Sequence, residues 1–216
     1  MVGQTVAYVR VSSAEQNLDR QLEAVGECDR VFEDKISGSS RAKRAGLAEL
    51  MRTLNFLPRP TIAVVQGAAF GGGVGLVACC DIAIAAEGAS FSLSEVKLGL
   101  IPAVISPYVV AAIGERASRR YFLTAERFAA DEALRIGLVH QVVPADRLDE
   151  ALDSVLARLA EGGPAAQKAA KDLIFAVAHR PVNAAVIRDT AERIATIRAS
   201  SEGREGLAAF LEKRKP

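Results

Sequence analysis

Gly71, Gly72, Gly73 and Gly75 crowd into five positions of the run Pro60-Thr-Ile-Ala-Val-Val-Gln-Gly-Ala-Ala-Phe-Gly-Gly-Gly-Val-Gly-Leu-Val-Ala-Cys-Cys-Asp81. Each glycine in a helix interior costs about 1 kcal/mol relative to alanine, so a cluster at the head of an apolar helical run needs a reason. Two are available: tight packing with backbone at positive φ, or a ligand brought close to the N–H groups of a helix N-terminus. A dinucleotide-binding turn requires G-x-G-x-x-G, yet the sixth position from Gly71 is Leu76 and that from Gly73 is Ala78. A phosphate-binding P-loop requires a lysine and a hydroxyl residue after its last glycine, and Val74-Gly75-Leu76 supplies neither. What remains is an oxyanion site, in which backbone N–H groups face an oxygen that gains negative charge during reaction. Such a site needs a group to carry a proton. Glu95, in Phe91-Ser-Leu-Ser-Glu-Val-Lys-Leu-Gly-Leu-Ile-Pro102, is the candidate acid/base. The same spacing also suits an ordinary surface glutamate, and both readings stay open on spacing alone.

The elements that must position these residues follow from periodicity and punctuation. Residues 5–11 are β-branched and aromatic enough for a strand; Ser13-Ala-Glu-Gln16 fits a capping box, with Leu18, Leu22 and Val25 at helical spacing behind it. Val31-Phe32 predicts a second short strand. Leu47, Leu50, Met51 and Leu54 predict an amphipathic helix that Pro58 and Pro60 end. Thr61–Gln66 reads as a buried strand, Gly72–Cys80 as a helix and Ile82–Ala86 as a strand. Ser106-Pro107 reads as an N-cap with proline at the first helical position, opening a helix that Gly114 stops. Short helices over Arg116–Leu123 and Asp131–Ile136 and a strand over Leu138–Val143 follow. Beyond Pro144 the pattern is helical throughout, with breaks at Gly162-Gly163-Pro164 and near residues 178–182 and 200.

Composition bounds the rest. The chain has 216 residues, half of them apolar, which suits a folded globular protein. Twenty-seven basic against twenty-six acidic residues leave no general surface for nucleic acid or membrane, and no apolar run reaches a membrane span. The chain therefore reads as cytosolic. Cys28, Cys79 and Cys80 are odd in number and lack ligand spacing; His140 and His179 stand apart, so neither a disulfide framework nor a metal site is expected.

Two stretches resemble known families. Tyr8-Val-Arg-Val-Ser-Ser13, Gln16-Asn-Leu-Asp-Arg-Gln21 and Asp34-Lys-Ile-Ser-Gly-Ser-Ser40 followed by Arg44-Ala-Gly-Leu47 resemble the serine recombinases of the resolvase/invertase type. That resemblance implies Ser12 as a nucleophile on DNA phosphate, with Arg10 and Arg44 stabilising the phosphoryl charge. It covers only about residues 1–50, and the later arginines and DNA-binding domain of that family have no counterpart.

From about residue 52 to residue 216 the chain resembles the crotonase superfamily, the enoyl-CoA hydratases and isomerases. The matching runs are Pro60 to Gly73, Cys80-Asp-Ile-Ala-Ile-Ala85, Ser94-Glu-Val-Lys-Leu-Gly-Leu-Ile-Pro102, Leu123-Thr-Ala-Glu-Arg-Phe128, Ala133-Leu-Arg-Ile-Gly-Leu-Val139 and Phe210-Leu-Glu-Lys-Arg-Lys215. This resemblance implies that Gly72 N–H is an oxyanion donor to an acyl-CoA thioester and Glu95 the acid/base, with Phe70, Gly71, Gly73 and Pro102 at the substrate. It implies no cofactor beyond acyl-CoA as substrate, and a homotrimer or hexamer. Hydratases of the family commonly carry a second glutamate three residues after the oxyanion glycine, where this chain has Gly75. Val104-Ile-Ser-Pro-Tyr108 is similar to the methylglutaconyl-CoA hydratase-like branch.

The expected fold is therefore α/β: a truncated crotonase (ClpP/crotonase-like) spiral core over 51–143 lacking its first third, a C-terminal helical trimerisation region over 144–216, and a resolvase-like βαβα segment over 1–50. Loss of the second oxyanion donor predicts weak activity. The alternatives are a recombinase fragment acting on DNA and a non-catalytic oligomerising remnant.

Overall fold

The computed structural model describes residues 6–11, 30–35 and 45–215, with the backbone alone for the first two segments. Ser12, Arg44 and the helix expected after Ser13 lie outside these residues. The chain forms two compact units, residues 1–56 with 61–148, and residues 57–60 with 149–216.

In the first unit, β1 (Val6–Val11) and β2 (Arg30–Lys35) pair in parallel, Val6 opposite Arg30 and Val11 opposite Lys35. The helix α1 (Ala45–Asn55) buries Leu47, Leu50 and Met51, the stripe that their spacing predicts. A second sheet has the order β3-β5-β8, all parallel: β3 (Ile62–Val65), β5 (Ile82–Ala86) and β8 (Gln141–Val143). β5 is its central strand, and Ala83 to Ala86 are all buried, the continuous apolar run that a parallel strand covered on both faces requires. A clamp ties the starts of β3 and β5. Thr61 N–H and Thr61 Oγ donate to Asp81 Oδ2 at 2.8 and 2.9 Å, and Asp81 N–H donates to Thr61 Oγ at 3.0 Å.

A third sheet escapes the sequence reading altogether. β4 (Ala68–Phe70) pairs in parallel with β6 (Ser90–Ser92), which pairs antiparallel with β7 (Phe128–Ala129). Strands of two or three residues are too short for alternation to register. Their pairing instead comes from the core: Phe91 lies opposite Phe128 with ring centroids 5.6 Å apart, and Tyr121 packs on Phe128 at 4.3 Å.

Between β4 and β5 runs α2 (Gly72–Cys79), the helix expected from Gly72. α3 (Ser106–Thr124) comprises the two helices expected on either side of Gly114, which interrupts the helical backbone with φ 75° and ψ 164° and leaves a kink between them. Ser106 is the first residue of α3 and not its N-cap: the cap position is Ile105, and Ser106 Oγ donates to Ala103 O at 2.8 Å. Expected as a longer strand, Leu138–Val143 is extended only over β8, because His140 and the residues before it complete the turn after α4 (Ala130–Arg135). Burial pushes the Cys79 thiol up to about 12, consistent with an inert reduced core cysteine.

Tyr121 meets α4 through a hydrogen bond to Glu132, which is itself ion-paired within that helix. Glu132 accepts from the Tyr121 hydroxyl and takes Arg135 Nε at 2.5 Å. The Arg135 guanidinium, and after it the Tyr121 hydroxyl, lower the Glu132 carboxyl from 4.5 to about 2. The unfolded chain thus holds this proton more tightly than the folded one, so the pair stabilises the fold above about pH 4.5 and loses that contribution as pH falls towards about 2. Denaturant unfolding of wild type and Glu132→Gln is expected to differ most at about pH 6, less at about pH 3, and to converge only as pH falls to about 2; a constant difference would exclude this origin.

The second unit is helical: α5 (Leu148–Ala160), α6 (Pro164–Val177), α7 (Ala184–Ala199) and α8 (Ser201–Leu211). Its caps are legible in the residues. Asn183 Oδ1 accepts from Ala185 and Val186 N–H at 3.0 Å, and Ser200 Oγ accepts from Gly203 N–H at 3.0 Å. The α6 N-terminus is capped from a distance by Glu202, which accepts from Ala165 and Ala166 N–H.

Candidate active site

The glycine turn joins β4 to α2, and its geometry assigns the glycines different tasks. Gly71 has φ 51° and ψ −114°, a conformation that residues with a Cβ avoid. Its N–H donates to Ser92 O at 2.8 Å, so this donor is spent on the third sheet and is not available to a ligand. Gly72 is the first residue of α2, where N–H groups have no intrahelical acceptor and the helix dipole is positive. It is backed by α1: a methyl group on Gly72 would stand 3.1 Å from Leu47 Cδ2. Gly73 has ordinary contact with the Ala69 methyl.

The bond from Gly71 to Ser92 also delivers Glu95. Three residues beyond Ser92, the 3-10 turn Ser94–Leu98 carries Glu95, closed by Gly99 with φ 68° and by Leu100 N–H donating to Glu95 O at 3.0 Å. The Glu95 side chain is 6% exposed. Its Oε1 would stand 3.0 Å from a methyl group on Gly71, so the carboxylate lies directly against the turn. Oε2 is buried and has no hydrogen-bond partner among the described residues. Leaving a buried carboxylate oxygen unsatisfied is expensive, and such atoms mark places where a protein keeps a group for a ligand or a proton.

Sequence reasoning missed what encloses this pair. A methyl group on Gly75 would stand 2.4 Å from both Ile105 Cγ2 and Met51 Cε, so α1 and the start of α3 close the position from two sides. Met51 and Ile105 are 0% and 1% exposed. The helical spacing of Leu47 and Met51 indicates a buried face, but not which glycines that face meets. The residues expected at the substrate diverge. Pro102 is buried and lines an apolar cavity of about 240 Å³ together with Val96, Ile101, Ala103, Phe122 and Leu123. Phe70 is 37% exposed, with the Arg127 guanidinium 5.0 Å above its ring. Among the described residues there is no group of three or more residues that could hold a metal ion, and no helix long and apolar enough to cross a membrane.

The structure thus sets a glycine turn at the start of α2 against a buried carboxylate, and comparison with known proteins assigns the chain to one family. The enoyl-CoA hydratase/isomerase family matches residues 30–216, and the chain belongs to it. Crotonyl-CoA hydratase of Syntrophomonas wolfei is 31% identical over 193 residues, 88% of this chain and 74% of that protein. The 2,3-dehydroadipyl-CoA hydratase of Escherichia coli is 32% identical over 170 residues, 78% of this chain and 66% of that protein. The crystal structure of an enoyl-CoA hydratase from Shewanella pealeana superposes with a TM-score of 0.80 at 44% identity, covering 88% of this chain and 78% of that one. The chain thus spans about two thirds to three quarters of these curated relatives.

The match begins at residue 30, well ahead of residue 52, where the crotonase resemblance is expected to start. It takes in β2 and α1, and Leu47, which closes the expected recombinase motif, packs behind Gly72 instead. The recombinase reading has no support: Ser12 and Arg44 lie outside the described residues, and Arg10 falls on β1, where only the backbone is described.

Proposed function

We propose that this chain acts on an enoyl-CoA thioester, with Gly72 N–H polarising the thioester carbonyl and Glu95 moving the proton. The observation that carries this reading is the buried Glu95 carboxylate held against the Gly71–Gly72 helix start with Oε2 unpartnered. As enolate character develops, negative charge gathers on the thioester oxygen, where a preorganised N–H at a helix N-terminus is worth most. The apolar cavity that begins at Val96, the residue after Glu95, suits the hydrocarbon part of the acyl group.

Within this chemistry the closed position at Gly75 favours a one-carboxylate reaction. In isomerisation Glu95 takes a proton from the α carbon, the electron pair is held as a dienolate, and the same carboxyl returns the proton to the γ carbon. A single group suffices for both transfers. Hydration with two carboxylates would need a second acid at position 75, where Met51 and Ile105 leave no room. We read the turnover as low beside that of the curated relatives, because Gly72 is the one oxyanion donor assigned among the described residues and lack of a second costs about 10²- to 10³-fold. The test incubates the protein with 3-enoyl-CoA, crotonyl-CoA and methylglutaconyl-CoA and follows the conjugated thioester absorbance, with product identity set by mass. Isomerisation without mass change supports the reading, and addition of water at rates typical of the family counts against it.

The second unit supports self-association as a trimer or hexamer. Ile174, Phe210 and Leu211 are 63%, 79% and 78% exposed on α6 and α8, large apolar groups that a lone subunit would leave in water. Light scattering is expected to give a mass of at least three chains, reduced to one by Phe210→Asp with Leu211→Asp. A monomer in wild type would refute this.

A further inference from the structure

α3 beyond its kink carries Arg116, Arg119, Arg120 and Leu123 at helical spacing i, i+3, i+4 and i+7, so all four share one face. That face and α4 enclose a cleft of about 800 Å³, to which Arg135 adds a fourth guanidinium. Ile113, Ala117 and Ile136 supply its apolar wall. None of these residues belongs to the glycine turn or to Glu95.

The charges of the cleft are only half answered. Arg120 is taken by Glu126, with Nε at 2.5 Å and Nη2 at 3.3 Å from its two oxygens. Arg135 is taken by Glu132, which also accepts from Tyr121 and is therefore fully engaged. Arg116 and Arg119 have no ion-pair or hydrogen-bond partner among the described residues. Two guanidinium groups one turn apart repel each other unless an anion lies between them. Each presents a planar fork of N–H donors, the geometry that a phosphate accepts from two sides at once. The volume is that of a small-molecule site, and the apolar wall offers contact to an organic body behind the phosphate.

We propose that the cleft between the second half of α3 and α4 is a binding site for a phosphate-bearing small molecule, with Arg116 and Arg119 clamping the phosphate and the wall of Ile113, Ala117 and Ile136 receiving an apolar or aromatic body. The cleft adjoins the apolar cavity, sharing Leu123 with it, and includes neither the glycine turn nor Glu95.

Calorimetric titration of the full chain at low salt with inorganic pyrophosphate, ADP and coenzyme A tests this. Wild type is expected to bind pyrophosphate, and ADP more tightly through the added wall contact. Arg116→Ala with Arg119→Ala is expected to weaken both by about tenfold or more, since two charge-assisted contacts are lost. Both side chains are without partners, so circular dichroism should be unchanged. Arg188→Ala with Arg204→Ala, which removes the same charge from exposed positions of α7 and α8, should weaken binding by less than about twofold. Absence of binding to wild type, or equal weakening by the two double variants, would overturn the site. So would loss of coenzyme A binding in Arg116→Ala with Arg119→Ala, which would assign the cleft to the substrate's own phosphates. A change of oligomeric state in that variant, without phosphate binding to wild type, would make the cleft a subunit interface instead.

Discussion

Glu95→Gln is expected to lower enoyl-CoA turnover by about 10²- to 10⁴-fold, the range that a positioned general acid/base contributes. Glutamine keeps the size and shape of the side chain, so the fold should hold and thioester affinity should change little. The reason for expecting a loss in rate and not in binding is geometric. The carboxylate sits against Gly71, and its Oε2 has no partner among the described residues that the substitution would break. Exchange of the substrate's α proton with deuterated solvent separates the chemical step from product release. Wild type should exchange, and Glu95→Gln should not. Exchange that persists in the variant would remove Glu95 from the reaction, whatever the overall rate. Stability should move the other way. Replacing a buried, incompletely satisfied carboxylate by a neutral amide relieves desolvation, so denaturant unfolding should show the variant unchanged or slightly more stable.

The second large effect concerns Gly75. On propensity alone, Gly75→Ala in α2 would stabilise a helix by about 1 kcal/mol. The added methyl, however, would stand 2.4 Å from Ile105 Cγ2 and Met51 Cε and 2.8 Å from Ile105 Cβ, distances that side chains do not tolerate. Overpacking of a filled core costs about 1–3 kcal/mol, and here the opposing groups are a fully buried methionine and a β-branched residue with little freedom to turn. A net loss of stability is therefore expected, growing to failure of folding for Gly75→Glu, which adds an unpaired buried charge. Met51→Ala with Gly75→Ala should recover part of the loss, because the space vacated by one side chain receives the other. A double-mutant cycle by urea unfolding measures this coupling. Additive costs would mean that Met51 does not close the position. The same cycle bears on chemistry, since a second carboxylate at position 75 is compatible with the fold only if α1 gives way.

Much of the site is legible in the amino-acid sequence. The glycine spacing meets neither nucleotide motif and leaves the oxyanion reading open, and Glu95 takes its proposed role from the family resemblance. Gly72 at the head of α2 is where the apolar run says a helix should start. Elements of helical spacing are legible for the same reason: Leu47, Leu50 and Met51 recur with the period of a buried stripe, and they are buried. The third sheet is not legible, because β4, β6 and β7 have too few residues for a period to be counted. Nor is the reach of the family into residues 30–50, where a short local motif suggests a different protein. Local similarity weighs side-chain identity. The role of Leu47 depends on what it packs against, namely Gly72.

By itself the sequence determined which groups were candidates for chemistry: bare backbone at a helix start and one glutamate downstream. Tertiary structure decided how those groups are shared out. It spent the Gly71 N–H on Ser92 and so brought Glu95 to the turn. It also filled position 75 with Met51 and Ile105, from segments 24 residues before it and 30 after it. The physical reason is that local pattern encodes which face of an element is apolar, whereas the partner of that face is chosen by packing between segments distant in the chain.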